Sequence, residues 1–170
     1  MDEREDRDDS IEDGMRITLT LAVLLAVSVL APARADTVVD VVVEQTTDVM
    51  ALSAHEMFRF EPQLVRIKPG DSVTFRNSMA DHTVHSIPEI WPEDAEEVHI
   101  SHQPEVQVTL DQAGVYGITC ARHGQYGMVM LILVGEPDLE PAEARIDETR
   151  LTPDAKKEMQ SLFDAARAAD

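Results

Sequence analysis

A mainly β fold, a β-sandwich carrying a helical tail, is what this sequence predicts, and three observations predict it. Short β-branched or alternating apolar segments are separated by turn residues: Val38–Val43, Leu64–Ile67, Ser72–Arg76, Val98–Val108 and Val115–Cys120. The run Met128–Val134 is apolar without interruption, as expected of a strand buried on both faces. After Gly135 the strand signals stop. Met159, Leu162, Phe163 and Ala166 then recur at the i, i+3, i+4, i+7 spacing of an amphipathic helix.

The first 35 residues stand apart from this pattern. Residues 1–14 are almost all charged and cannot pack. Met15-Arg16, an apolar run over Ile17–Leu30 and Ala33-Arg34-Ala35 follow, in the order of n-region, h-region and A-x-A cleavage site. The run is about 15 residues, short of the roughly 20 that a membrane span needs. The expectation is a secretory signal cleaved before Asp36. The acidic stretch has the wrong charge for an n-region, which favours translation from Met15. The rival reading is an uncleaved anchor with a short acidic tail. Residues 36–135 then make up the β domain and 136–170 a helical extension packed on it.

Val38–Val43 reads as a strand pairing at a sheet edge. Phe58 and Phe60 alternate with polar residues, and Leu64, Val65 and Ile67 form the next strand. In Lys68-Pro69-Gly70-Asp71, proline fixes φ and glycine supplies a positive φ, which makes a turn. Val73 and Phe75 share one face of the strand that follows. Pro88 and Pro92 argue against a helix over 79–90, and Trp91–Glu97 reads as a loop or one short acidic helical turn. Val106, Val108 and Leu110 can face a core. Tyr116, Ile118 and Cys120 share a face, so the thiol points inward. Thr152-Pro153 has the form of an N-cap followed by proline at the first helical position, and Glu140-Pro141 can open a helix of its own.

Composition narrows the function. The hydrophobic fraction of 44% suffices for a core. The net charge is −19, and residues 36–170 keep 25 acids against 10 bases. This balance repels nucleic acid and anionic lipid surfaces, and it suits either a high-salt habitat or simply a heavily solvated surface. The single cysteine excludes an intramolecular disulfide, a two-thiolate copper centre, a CxxC redox pair and a cysteine-rich zinc site.

That cysteine lies in Gly114–Met130, GVYGITCARHGQYGMVM, with His123 three residues on and Met128 eight residues on. A soft thiolate, an imidazole and a thioether on one loop are copper ligands; with a second histidine they make the trigonal His₂Cys set with a weak axial Met. Asp81-His82-Thr83-Val84, just after a strand, offers His82 as that histidine. Cys120 could instead be a core cysteine, the usual fate of a free thiol, but His123 and Met128 at these spacings weigh against it. Met130 is the alternative to Met128, since both point the same way along the strand. His85, His99 and His102 read as surface residues, and Met50, Met57 and Met79 as packing residues.

Together these motifs resemble the cupredoxins, the type 1 blue copper proteins, and the pseudoazurins most of all. The matching stretches are FEP at 60–62, KPGDSVTF at 68–75, DHTVHSI at 81–87, PEDAEE at 92–97, GVYGITC at 114–120 and HGQYGMVM at 123–130. The resemblance implies a Greek-key β-sandwich or barrel and one copper ion cycling between Cu(II) and Cu(I). Its implied ligands are His82, Cys120, His123 and axial Met128. It also implies no enzyme but a periplasmic one-electron carrier that docks transiently near His123 on redox partners such as copper nitrite reductases. His82 is expected to be the more buried histidine, and Gly124, Tyr126 and Met79 to neighbour the docking patch. A monomer with no stable membrane insertion after signal cleavage is expected. The rival function on this scaffold is periplasmic copper binding and delivery.

The chain leaves the family pattern in three respects. Thr83 stands where the family has Asn, whose side chain ties the two ligand loops together. Arg122 replaces a Pro before the second histidine, and a positive charge there favours Cu(I). The family's ring of lysines is thin, with only Arg59, Arg76 and Arg122 as candidates.

Overall fold

The computed structural model describes residues 38–45 and 51–169. The signal segment, its cleavage point before Asp36, the acidic residues 1–14 and Met50 lie outside the described residues. Seven strands form one strongly folded sheet: β1 (Val38–Gln45), β2 (Phe58–Glu61), β3 (Leu64–Ile67), β4 (Asp71–Ser86), β5 (His99–Leu110), β6 (Gly114–Thr119) and β7 (Val129–Val134). The hydrogen-bonded order is β2-β1-β4-β6-β7-β3, with β5 also paired to β4. The result is a nearly closed, barrel-like β structure with a C-terminal helix.

The 16-residue β4 organises it. Its first half pairs parallel with β1, Val73 lying opposite Val39, and it pairs antiparallel with β5 from Asp71 against Leu110 to His85 against His99. Its last residues leave β1 and pair with β6, His85 against Thr119 and Ser86 against Ile118. One strand therefore belongs to both layers of the sandwich. The expected edge strand at 38–43 is interior instead: β2 lies outside it, with Val43 opposite Phe60. The short helix α1 (Ala54–Met57) leads directly into β2.

The turn before β4 forms as its residues dictate. Gly70 has a φ of +89°, which only glycine adopts without strain. The Asp71 carboxylate accepts the Lys68 amide at 2.8 Å, and the Asp71 amide donates to the Lys68 carbonyl at 3.0 Å. The prolines do exclude an α-helix over 79–90, yet Pro88–Ile90 makes one 3₁₀ turn with proline at its start. Trp91–Glu97 continues as loop.

β7 is buried on both faces, which is why its sequence shows no alternation. Met130, Ile132 and Val134 face the sandwich interior with Phe60, Val73, Phe75, Val84 and Ile118. Val129, Leu131 and Leu133 face a second core built by the C-terminal segment. That segment holds α2 (Glu140–Glu143), a 3₁₀ turn at Ile146–Glu148 and α3 (Pro153–Ala168). Thr152 caps α3, its hydroxyl accepting from the Ala155 amide at 3.3 Å. The expected stripe of Met159, Leu162, Phe163 and Ala166, extended by Ala155, is buried against β7. Burying each of the large apolar side chains contributes about 1.5–3 kcal/mol, so the tail is part of the core rather than an appendage.

Candidate metal centre

The site begins with a register shift. Ser78 pairs with Gln103 and Thr83 with Ser101, so β4 advances five residues while β5 advances two. Three extra residues, an odd number, reverse the alternation of the strand. Before the bulge the odd-numbered Val73 and Phe75 face the core; after it the even-numbered Val84 does, and His82, at the end of the bulge, is buried as well. His82 thus lies within β4, in the bulged segment just before Thr83, rather than after a strand.

Cys120 closes β6 and continues its pairing with β7, its amide donating to the Met128 carbonyl at 3.1 Å. The loop between them folds tightly. The Gly124 amide donates to the Cys120 carbonyl at 2.7 Å, and the Tyr126 and Met128 amides donate to the His123 carbonyl at 2.9 and 3.3 Å. Gly127, with φ at +91°, ends the 3₁₀ turn Gly124–Tyr126. Gly124 is buried, and a Cβ there would collide with Thr119 Oγ1.

Three side chains converge beneath this loop. His82 Nδ1 lies 3.4 Å from His123 Nδ1, and Cys120 Sγ lies 3.8 Å from the same His123 nitrogen. The three ligand atoms all lie within 4.8 Å of one another, and among the described residues this is the one His, Cys or carboxylate cluster able to hold a metal ion. Cys120 is 1% exposed, His82 3% and His123 7%, so His82 is the more buried imidazole. The His123 amide donates to Sγ at 3.5 Å, and the Thr83 hydroxyl does so at 3.9 Å. Two imidazole nitrogens and one thiol, sequestered and turned toward a common point, are a donor set that fits copper.

Met128 and Met130 are both fully buried on the interior face. They differ in depth: Met128 lies opposite Cys120, whereas Met130 pairs with Ile118 one step farther into the sheet.

Aromatic rings frame the histidines. Phe58 stacks on His123 with ring centroids 4.1 Å apart and planes 1° from parallel. Tyr126, 43% exposed, lies 5.7 Å from Phe58. Sequence reasoning placed Tyr126 near the site but missed Phe58, whose alternation with the buried Phe60 was its only mark.

The surroundings carry little free positive charge. Arg59 pairs with Glu61 at 3.0 Å and Arg76 with Glu105 at 2.9 Å, both on the surface. Arg122 is exposed, and its carbonyl accepts from Gln125 at 3.2 Å. Among the described side chains, His85, His99 and His102 lie apart from the cluster. His85 is half-buried rather than on the surface, and it meets His99 across the strands edge to face at 5.1 Å. Burial, then the facing His99, lowers the pKa of His85 below the ordinary imidazole value. His99 and His102 are exposed, as expected.

Comparison with known proteins places this architecture. Residues 47–135 match the family of copper binding proteins of the plastocyanin/azurin type. A pseudoazurin of Methylorubrum extorquens is 35% identical over 142 residues, spanning 82% of this chain and 93% of that protein. The crystal structure of pseudoazurin from Methylobacterium extorquens AM1 superposes with a TM-score of 0.63 at 33% identity, covering 76% of this chain and 99% of that one. Native pseudoazurin from Hyphomicrobium denitrificans gives 0.62 at 29% identity, covering 76% and 98%. With its barrel-like fold, its C-terminal helix and a His–Cys–His cluster suited to one type 1 copper ion, the chain belongs to the plastocyanin/azurin family of copper-binding proteins, as a pseudoazurin-like cupredoxin, an electron carrier and not an enzyme.

Proposed function

We propose that His82, Cys120, His123 and Met128 hold the copper ion, and that the chain is a periplasmic one-electron shuttle serving partners such as a copper nitrite reductase. The observation that carries the ligand assignment is the convergence of the His82, Cys120 and His123 donor atoms within 4.8 Å in a buried site. Met128 completes the set because it sits opposite Cys120 at the mouth of the sheet. When bound, copper would supply one-electron redox chemistry, held by two imidazoles, a thiolate and the Met128 thioether, a soft donor set that suits it. Cys120 binds as the thiolate and releases its proton. His82 and Cys120 are fixed by strands β4 and β6, and the loop carrying His123 is held by its own hydrogen bonds. Little then has to move between oxidation states.

His123 is the less buried histidine, and exposed Tyr126 stands beside it, which supports this edge as the docking face. Redox encounters use small interfaces, so binding is weak and fast. The leader-like residues 1–35, cleaved before Asp36, support export, with 36–135 as the copper domain and 136–170 as its helical extension. Among the described residues no helix is long and apolar enough to cross a membrane.

The test is to add Cu(II) to the protein beginning at Asp36 and record its visible and EPR spectra, with Cys120→Ser alongside. The expected result is an intense thiolate-to-copper band with small parallel hyperfine splitting, lost in Cys120→Ser. A colourless complex, or colour that survives Cys120→Ser, sinks the assignment. Reversible cycling without loss of metal marks a shuttle; release of Cu(I) on reduction marks a copper-delivery protein.

A further inference from the structure

We infer that Phe58 is a positioning residue of the metal centre: it stacks on the His123 imidazole and holds that ring in its ligating orientation with or without copper. The inference rests on the copper-site reading above and adds a residue that is not a ligand.

The geometry is specific. The two rings are parallel within 1° and stacked, with their centroids 4.1 Å apart. No other ring pair among the described aromatic contacts is as close or as parallel. Phe58 can act as a fixed wall because its own position is secured. It opens β2 opposite Gln45 of β1, two residues before fully buried Phe60, and its ring packs on the sandwich core. Tyr126 flanks it at 5.7 Å with planes 26° apart.

His123 needs such a wall. His82 and Cys120 belong to strands or a strand end, whereas His123 sits on the turn between β6 and β7. Cys120 Sγ and His82 Nδ1 lie near its Nδ1 and constrain one atom of the ring. Neither sets the plane of the ring. The His82 ring is inclined by 48° to that of His123 and offers no parallel surface. Phe58 lies flat against it and fixes the plane.

A stacked aromatic pair shifts a side-chain equilibrium by roughly twofold to tenfold. Copper affinity scales with the fraction of apoprotein already in the ligating arrangement. Removing the stack is therefore expected to weaken copper binding by roughly the same twofold to tenfold.

The test compares wild type, Phe58→Leu and Phe58→Tyr, each with a dispersed amide NMR spectrum as proof of folding. In apo wild type the His123 ring protons resonate upfield, shielded by the face of Phe58. In Phe58→Leu they move downfield and Cu(I) affinity, measured by competition with a chelator, falls roughly twofold to tenfold. Phe58→Tyr keeps both properties. If Phe58→Leu does not fold, Phe58→Met, non-aromatic but flexible enough to fill the space, takes its place. Unmoved His123 ring signals, or unchanged Cu(I) affinity, in a folded non-aromatic variant overturn the inference. Failure of the copper-site reading looks different: wild type itself takes up no copper.

Discussion

Thr83 and Ala121 join the two halves of the metal centre. The Thr83 hydroxyl oxygen accepts the Ala121 amide at 2.8 Å, and its proton is directed at Cys120 Sγ 3.9 Å away. The loss of the family's Asn at this position was expected to alter the tie between the ligand loops. The tie persists, made by a hydroxyl that acts at once as acceptor and donor.

Thr83→Val removes both functions and keeps the shape. The net stability loss is expected to be about 0.5–1.5 kcal/mol, since the exposed Ala121 amide can turn to water. The redox effect is more telling. Cys120 Sγ loses the Thr83 donor, while the His123 amide remains. A less hydrogen-bonded thiolate donates more charge and favours Cu(II), so the reduction potential falls. Voltammetry on Thr83→Val and Thr83→Ser checks this; an unchanged or higher potential in Thr83→Val refutes it.

Met128 and Met130 are equally buried, so burial does not separate them. Their positions on the sheet do, because only Met128 lies opposite Cys120. Met128→Leu is expected to change the EPR hyperfine pattern and the intensities of the visible bands. Met130→Leu conserves volume and leaves both spectra as they were, at a cost under about 1.5 kcal/mol. The reverse pattern would assign the axial role to Met130.

Phe163 is fully buried in the core between α3 and β7. Phe163→Ala is expected to cost about 3–5 kcal/mol, read from the urea midpoint of unfolding. Because Phe163 packs on the outer face of β7 and Met128 on the inner one, the copper spectrum of the folded variant stays the same. A large spectral change with little loss of stability contradicts this division.

Acid weakens the fold through His85. Burial, and then His99, depresses its folded-state pKa below 6.5, the ordinary imidazole value. As pH falls through the unfolded value, the unfolded chain takes up the proton first. The stability present above that value is therefore lost on the acid side. His85→Gln is expected to flatten this part of the stability profile, followed by urea unfolding of the apoprotein across that range. A profile as steep as that of wild type counts against the assignment.

Much of this was legible in the chain because it depends on local chemistry. Strand β7 announced itself through uninterrupted apolar residues, α3 through its stripe and its Thr152-Pro153 cap, and the turn at Gly70 through proline and glycine. The loop ligand candidates were legible too, since Cys120, His123 and Met128 lie within nine residues. His82 was a candidate by motif, but no local pattern told which way it faces. The place of β1 was misread because sheet order depends on which distant strand arrives beside it. Here β2 took the edge.

By itself the sequence determined the class of fold, the soft donor set and the kinship with copper proteins. Each follows from residue type and spacing, and neither changes on folding. Only the tertiary structure decided how the site closes. Three extra residues in β4 turn His82 inward, and they are defined only by pairing with β5. Thr83 reaches Ala121 across 38 positions, and Phe58 lies flat on His123 across 65. Such contacts arise from the register and crossing of strands, which set distances that no count along the chain contains.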